Sequence, residues 1–238
     1  MLSLDRQNQF RSRYGAIRHD WRPSGEVYEA ITREYMTPRC KLLDLGCGRG
    51  GLPEKLVAEK RAVFGIDSDW QSLIDYRGSD VPLTVGMAGL LPYASQSFDL
   101  VISAWLLEHL RDPLAVIGEI CRVLRPGGNY IFLTPNIESP FLLVGRIGQL
   151  LPSFQNGLVD TLYARQQVDT FRLHYRANTA RRLRSLADAN GLVLQKLQVV
   201  SDPTYLAFSE MMFRLSIFFE RFIPAHRGVH LVGLLEKE

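Results

Sequence analysis

Leu42-Leu43-Asp44-Leu45-Gly46-Cys47-Gly48-Arg49-Gly50 decides the fold of this chain. An apolar run carrying an acid is followed by glycines at alternate positions. The run reads as a buried strand, and the helix-forming stretch 52–60 comes next, so the glycines fall in a strand-to-helix turn. Glycine there lets the backbone approach a ligand with no Cβ in the way. The following helix offers free N–H groups and the positive end of its dipole. Asp44 adds a carboxylate at the strand tip, which repels a phosphate and attracts an ammonium group.

A second apolar stretch, AVFGIDSD (62–69), reads as the next strand and ends in Asp67, 17 residues after Gly50. That interval holds one helix and a return. In an open parallel sheet the tip of this strand lies beside the glycine turn, where a carboxylate can accept both hydroxyls of a ribose. The alternative is a helix N-cap before 70–77, because Asp67, Ser68 and Asp69 all suit that role.

Four blocks in order, LLDLGCGRG (42–50), FGIDSD (64–69), LPYASQSFDLVISAWLLEHLRDP (91–113) and EICRVLRPGGNYIFLTPN (119–136), resemble the class I S-adenosylmethionine-dependent methyltransferases. The chain is most similar to the broad group that contains quinone-biosynthesis and general small-molecule methyltransferases. A lone glycine motif would be weak evidence. Four blocks at successive strand boundaries are specific. The resemblance is strong over 40–136 and loose over 171–238. It implies an α/β fold: a Rossmann-like, seven-stranded, mostly parallel sheet with an antiparallel last strand and helices on both faces. It implies S-adenosyl-L-methionine as cofactor and methyl transfer as activity.

The resemblance also assigns roles by position. Asp44 would meet the amino group of the cofactor. Gly46, Cys47 and Gly48 would pass under its methionyl and ribose parts. Asp67 would take the ribose hydroxyls and Ser68 would flank the adenine, as would the stretch Met87, Ala88 and Gly89. Ala104, at the end of the fourth strand, would face the amino end. Trp105 or Leu106 would line the mouth through which the methyl group passes, with simple packing as the alternative for Trp105. One residue departs from the family pattern: Met87 stands where an acid is expected at the end of the third strand. Methionine packs softly on a ring but accepts no strong hydrogen bond.

The chain has 238 residues, 46% of them apolar, and a formal net charge of +3. That suits one α/β domain with a substantial core. We divide it into a helical cap (1–38), a cofactor-binding core (39–136), an insertion or lid (137–176) and a C-terminal, substrate-side half (177–238). Basic residues are spread out, apart from Arg181, Arg182 and Arg184 and the N-terminal Arg6, Arg11, Arg13, Arg18 and Arg22. That is no clear nucleic-acid footprint, so a nucleic-acid partner is not expected. Cys40, Cys47 and Cys121 have no metal spacing and are odd in number, which fits a reducing cytoplasm and no metal site. MLSLDRQNQFRSR has no apolar core for a signal peptide, and no run of about 18 uncharged apolar residues exists to span a membrane.

Along the chain, the sequence predicts helices over 25–36, 70–77, 114–124 and 174–190. It predicts strands over 41–45, 62–67, 83–87, 98–104, 130–134, 192–200 and 229–236. Pro126-Gly127-Gly128 reads as the turn that ends the 114–124 helix. The insertion carries the apolar stretch PFLLVGRIGQLLP, read as a lid or acceptor wall, or else as a surface helix. The stretch 208–222 is amphipathic, with Phe208, Met211, Met212, Leu215, Phe218, Phe219 and Phe222 on one stripe. Glu210, Arg214 and Arg221 lie opposite, so the stripe is expected to be core. Phe213 and Ile217 fall outside it, a surplus that suits an apolar acceptor, a homodimer contact or a peripheral membrane surface.

Methyl transfer from a sulfonium needs alignment and exclusion of water, and an oxygen acceptor also needs its proton removed. His109 in Leu107-Glu108-His109-Leu110 is the nearest candidate base, with a structural or capping role as the alternative. His174 and Tyr175 follow the insertion and are further candidates. Glu108 reads as a surface or backbone-anchoring acid. The expected activity is methylation of a small or lipid-like acceptor, with oxygen slightly favoured, by a monomer or homodimer. Met87 keeps a second reading open, a catalytically degenerate cofactor-binding or scaffold protein of the same fold. A nicotinamide dehydrogenase would leave Asp44 unexplained, and the third glycine is read at Gly50, one position early for that motif.

Overall fold

The computed structural model describes residues 4–57, 62–78, 80–143, 171–207 and 209–238. Most of the expected lid, the last three residues of the 52–60 helix, and Phe208 lie outside the described residues. The backbone groups into two compact units: Met1–Ser24, Pro135–Arg172 and Val199–Leu231, and Gly25–Thr134, Leu173–Gln198 and Val232–Glu238.

The second unit is built on the sheet. Its strands are β1 (Lys41–Leu45), β2 (Ala62–Asp67), β3 (Leu83–Val85), β4 (Phe98–Ala104), β5 (Leu124–Pro135), β6 (Leu192–Val200) and β7 (His230–Lys237). They lie in the order β3-β2-β1-β4-β5-β7-β6, all parallel except the last strand, as expected. The central strands are buried on both faces: Leu42, Leu43, Leu45, Leu100, Val101, Ile102, Ile131 and Phe132 have almost no exposure. This is why they read as continuous apolar runs rather than alternating ones. Asp44 sits opposite Gly65 of β2 and Ile102 of β4. The chain lays β1, β2 and β3 in one direction and returns to add β4 and β5 on the other side. That reversal leaves a crevice at the carboxyl ends of β1 and β4, where α/β sheets bind ligands.

The helices are α1 (Leu4–Ile17), α2 (Ser24–Tyr35), α3 (Leu52–Val57), α4 (Trp70–Ile74), α5 (Pro113–Val123), α6 (Ala180–Asp188) and α7 (Glu210–Glu220). Four boundaries depart from expectation. β3 stops at Val85, and Met87 instead forms an isolated bridge with Leu90. β5 begins at Leu124, which pairs with Phe98, so Pro126-Gly127-Gly128 lies within an irregular strand rather than in a free turn. α4 ends at Ile74, and Arg77 turns back to donate to the carbonyls of Arg49 and Gly50 at 3.2 and 3.0 Å. The helix expected from His174 starts only at Ala180, where the Thr179 side chain accepts from Arg182 N–H. Ahead of it, 174–179 is held non-helical: the His174 and Tyr175 N–H groups donate to the Glu108 carbonyl at 2.7 and 3.0 Å.

The first unit packs α1 against α7 through Phe10, Tyr14, Ala207 and Phe213, with Trp21 and Ile217 alongside. Phe10 and Phe213 stack at 4.8 Å, and Tyr14 Oη donates to the Glu220 carboxylate at 2.6 Å. Here the amphipathic reading is overturned. The inward side of α7 is Phe213 and Ser216, whereas Met211, Leu215, Phe218, Phe219 and Phe222 face solvent. The surplus residues Phe213 and Ile217 are the ones that anchor the helix. Of the expected core stripe, Met211, Leu215, Phe218 and Phe219, with Phe222 just past the helix end, form the outer face, and Met212 is half-buried.

Gly233 on β7 lies over Phe132, so close that a Cβ would fall inside the ring's van der Waals radius. Gly233→Ala is expected to lower stability by about 1–3 kcal/mol through overpacking. Urea unfolding checks this, and an unchanged midpoint would contradict it.

Candidate active site

The glycine turn carries three left-handed backbones: Gly46 at φ +75°, Gly48 at +50° and Gly50 at +99°. Any other residue would be strained at these positions. A Cβ on Gly46 would press on Leu106 at 3.0 Å, while one on Gly48 would meet nothing within 4 Å. The Gly46 and Cys47 N–H groups donate to the Ile66 carbonyl at 2.8 and 3.1 Å, which fastens the turn to the end of β2. Gly51 completes a G-x-G-x-x-G spacing with Gly46 and Gly48. The glycines therefore do not exclude a dinucleotide, correcting the reading at Gly50. The acid at the strand tip has to make that distinction.

Asp67 is half-buried at the tip of β2. One carboxylate oxygen accepts from Gly48 N–H at 2.8 Å and the other from Asp69 N–H at 2.9 Å. Each oxygen keeps further lone-pair capacity. The cap of α4 belongs to Asp69, which accepts from Gln71 and Ser72 N–H. The N-cap alternative for Asp67 is thereby removed. Ser68 between them is exposed.

Asp44 is 7% exposed. Burial, and then the charge of Asp67, push its carboxyl up to about 7. The buried Tyr28 of α2 feels the Asp44 charge in turn, its hydroxyl pushed upward first by burial and then by that acid. A buried carboxyl beside a second acid is a poor seat for an anion and a good one for a cation. Cys47 is buried, with its sulfur over Gly65, 3.0 Å from where a Cβ there would sit. Burial raises its thiol first, with Asp44 and Asp67 adding to the effect, so it stays protonated.

Met87, 66% exposed, and Gly89 are both open, and Ala88 is half-buried. Ala104 ends β4 and Trp105 follows it. Trp105 takes φ +59° and donates its N–H to the Leu133 carbonyl at 2.9 Å. A left-handed tryptophan is strained and persists only where its surroundings hold it. Next comes the turn Leu107–His109, which brings the three candidate bases to one place in the backbone. The Glu108 carbonyl receives both His174 and Tyr175, the latter itself at φ +53°. The Glu108 side chain is buried, not at the surface. It accepts from Thr134 Oγ1 at 3.1 Å, and that oxygen accepts from Asn178 Nδ2 at 2.6 Å. Sequence reasoning missed Glu108 as the hub of this turn and Arg77 as the brace of the glycine loop. The Asp-Ser-Asp run did signal a cap, although not which acid supplies it. Among the described residues, no group of three or more His, Cys, Asp or Glu could hold a metal ion. Among them also, no helix is long and apolar enough to cross a membrane.

Residues 43–132 match the family described as a methyltransferase domain. A probable S-adenosylmethionine-dependent methyltransferase of Mycolicibacterium smegmatis is 34% identical over 111 residues, which cover 44% of this chain and 43% of that protein. A ubiquinone biosynthesis O-methyltransferase of Photorhabdus laumondii is 31% identical over 115 residues, covering 45% and 48%. The chain thus spans about half the length of the curated relatives it matches. Geranyl diphosphate C-methyltransferase of Streptomyces coelicolor, crystallised with Mg2+, geranyl diphosphate and S-adenosyl-L-homocysteine, superposes with a TM-score of 0.62 at 15% identity. That likeness covers 90% of this chain and 80% of the other, and is one of fold. The likeness is thus to a methyltransferase domain over residues 43–132, with the fold shared over most of the chain.

From about pH 4 to pH 7 the folded chain keeps a proton on Asp44 that the unfolded chain releases. The stability contributed by this group therefore falls as pH rises through that window. His230, its imidazole pushed down to about 4 by burial, works in the opposite sense in any variant that retains it. Asp44→Asn should raise the melting temperature at neutral pH more than at pH 4. A difference from the parent chain that stays flat with pH would contradict the burial account.

Proposed function

We propose that the chain transfers a methyl group from S-adenosylmethionine to a small or lipid-like acceptor, with oxygen the favoured atom. One observation carries the reading: a buried acid and a half-buried acid stand on adjacent strand tips, with an open glycine backbone between them. That donor set fits a ligand with an ammonium group and a ribose better than one with a pyrophosphate. When bound, S-adenosylmethionine supplies an electrophilic methyl group on sulfur.

Asp44 would hold the amino group in its ammonium form, releasing its own proton to solvent and regaining the charge that burial suppresses. Asp67 turns its remaining lone pairs to the ribose hydroxyls while it still holds Gly48. The backbones of Gly46, Cys47 and Gly48 form the floor. Ser68, Met87, Ala88 and Gly89 border the adenine, with Met87 against the ring in place of a hydrogen bond. Ala104 and Trp105 flank the amino end and the transfer mouth. His109, His174 or Tyr175 takes the acceptor proton. The preference for oxygen rests on relatives named as O-methyltransferases, at 30–32% identity.

A second reading, a cofactor-binding protein without transfer, is favoured by Met87 alone. Transfer of an isotope-labelled methyl group to a panel of phenols, quinols and long-chain hydroxylated acceptors separates the two. Incorporation supports the enzyme, and donor binding with no incorporation supports the scaffold. Asp67→Ala should weaken donor binding by about 10–100-fold, for the loss of a charge-assisted hydrogen bond. If one of the three candidates is the base, its removal lowers kcat by about 10²–10⁴-fold with donor affinity kept. Unchanged turnover in His109→Ala, His174→Ala and Tyr175→Phe alike would remove all three from that role.

A further inference from the structure

The outer face of α7 has no role in the site described above. Met211, Leu215, Phe218, Phe219 and Phe222 recur at helical spacing, and each is 39–72% exposed. The phenylalanines form one cluster, with Phe218 5.5 Å from both Phe219 and Phe222. The helix has no need of this face for folding, because Phe213, Ser216 and Ile217 anchor it on the other side. Scattered exposed apolar residues are ordinary, but four on one face of one helix, continued by Phe222 just past its end, are a patch.

The charges around the patch say what covers it. Both acids of α7 are already engaged. Glu220 accepts from Tyr14 Oη, and Glu210 is held by Arg13 at 2.6 Å and by Arg214 at 3.0 Å. Two arginines thus share one carboxylate, and the trio carries a net positive charge. Arg221 is exposed and has no acid partner among the described residues, and His226 and Arg227 are exposed just beyond. The patch is therefore an apolar, aromatic strip with a basic shoulder. Both ends of the strip are basic, so a second copy of the chain would set like charges together whichever way the helices ran. An anionic lipid surface accepts both parts, the aromatics at the headgroup boundary and the arginines at the phosphates.

We propose that α7 docks this face on an anionic membrane surface, lying in the plane of the interface. The proposal does not depend on methyl transfer. Flotation of the full chain with phosphatidylcholine vesicles, with and without phosphatidylglycerol, tests it. Binding is expected to the anionic vesicles, weakened by salt as the charges are screened. Phe218→Ser with Phe222→Ser should weaken it by at least about tenfold. Arg221→Glu should remove the preference for anionic over neutral vesicles. Both phenylalanines are exposed, so the melting temperature of the double variant should stay at that of the parent. Met211→Ser with Leu215→Ser is a second test on the same face if the first pair does not fold. No binding by the parent chain, or equal binding by folded variants, would overturn the proposal. A parent dimer that Phe218→Ser with Phe222→Ser converts to monomer would also overturn it, and would assign the face to self-association.

Discussion

The carboxylate of Asp67 joins the two halves of the crevice. It reaches from the end of β2 to the Gly48 N–H, and it also fixes the Asp69 N–H that begins the approach to α4. A glycine turn with three left-handed residues has little reason to hold one shape by itself. Here it is fastened from both sides, by Asp67 and the Ile66 carbonyl on one and by Arg77 on the other. The space over Gly48 is open, with nothing within 4 Å of where a Cβ would sit.

Against that rigid loop stands Asp44, buried and inclined to keep its proton. Such a group is destabilising as an anion and becomes useful when a cation arrives. The apo chain bears the cost of a buried acid, and a cationic ligand removes it. The tension between stability and binding is concentrated in one residue, and its neighbour Asp67 increases it. The turn after β4 is built in a different way. Glu108, Thr134 and Asn178 form a buried polar chain, and the Glu108 carbonyl pins the strained backbone that carries His174 and Tyr175.

Much of this was legible in the sequence. β1, β2 and β4 stand out because strands buried on both faces leave unbroken apolar runs, and their ends are marked by Asp44–Gly46 and Asp67. The placement of Asp44, Gly46, Gly48 and Asp67 around the ends of β1 and β2 was legible for the same reason. What failed did so for physical reasons. Periodicity detects that α7 is apolar along a stripe, but a helix with two apolar sides does not announce which one the core takes. The core took the narrower side because Phe213 can stack on Phe10 and Glu220 can reach Tyr14. The delayed start of α6 reflects a tertiary bond to the Glu108 carbonyl that no local pattern encodes. Arg77 has no sequence signal, since its partners are backbone carbonyls contributed from another part of the chain.

The proposed function requires a crevice shaped for an ammonium-bearing nucleoside and not for a dinucleotide, although Gly46, Gly48 and Gly51 have the spacing for either. Calorimetric titration of the purified chain with S-adenosylhomocysteine and, separately, with NAD decides between them. One-to-one binding of S-adenosylhomocysteine and no heat from NAD are expected. Saturable binding of NAD with none of S-adenosylhomocysteine would contradict it.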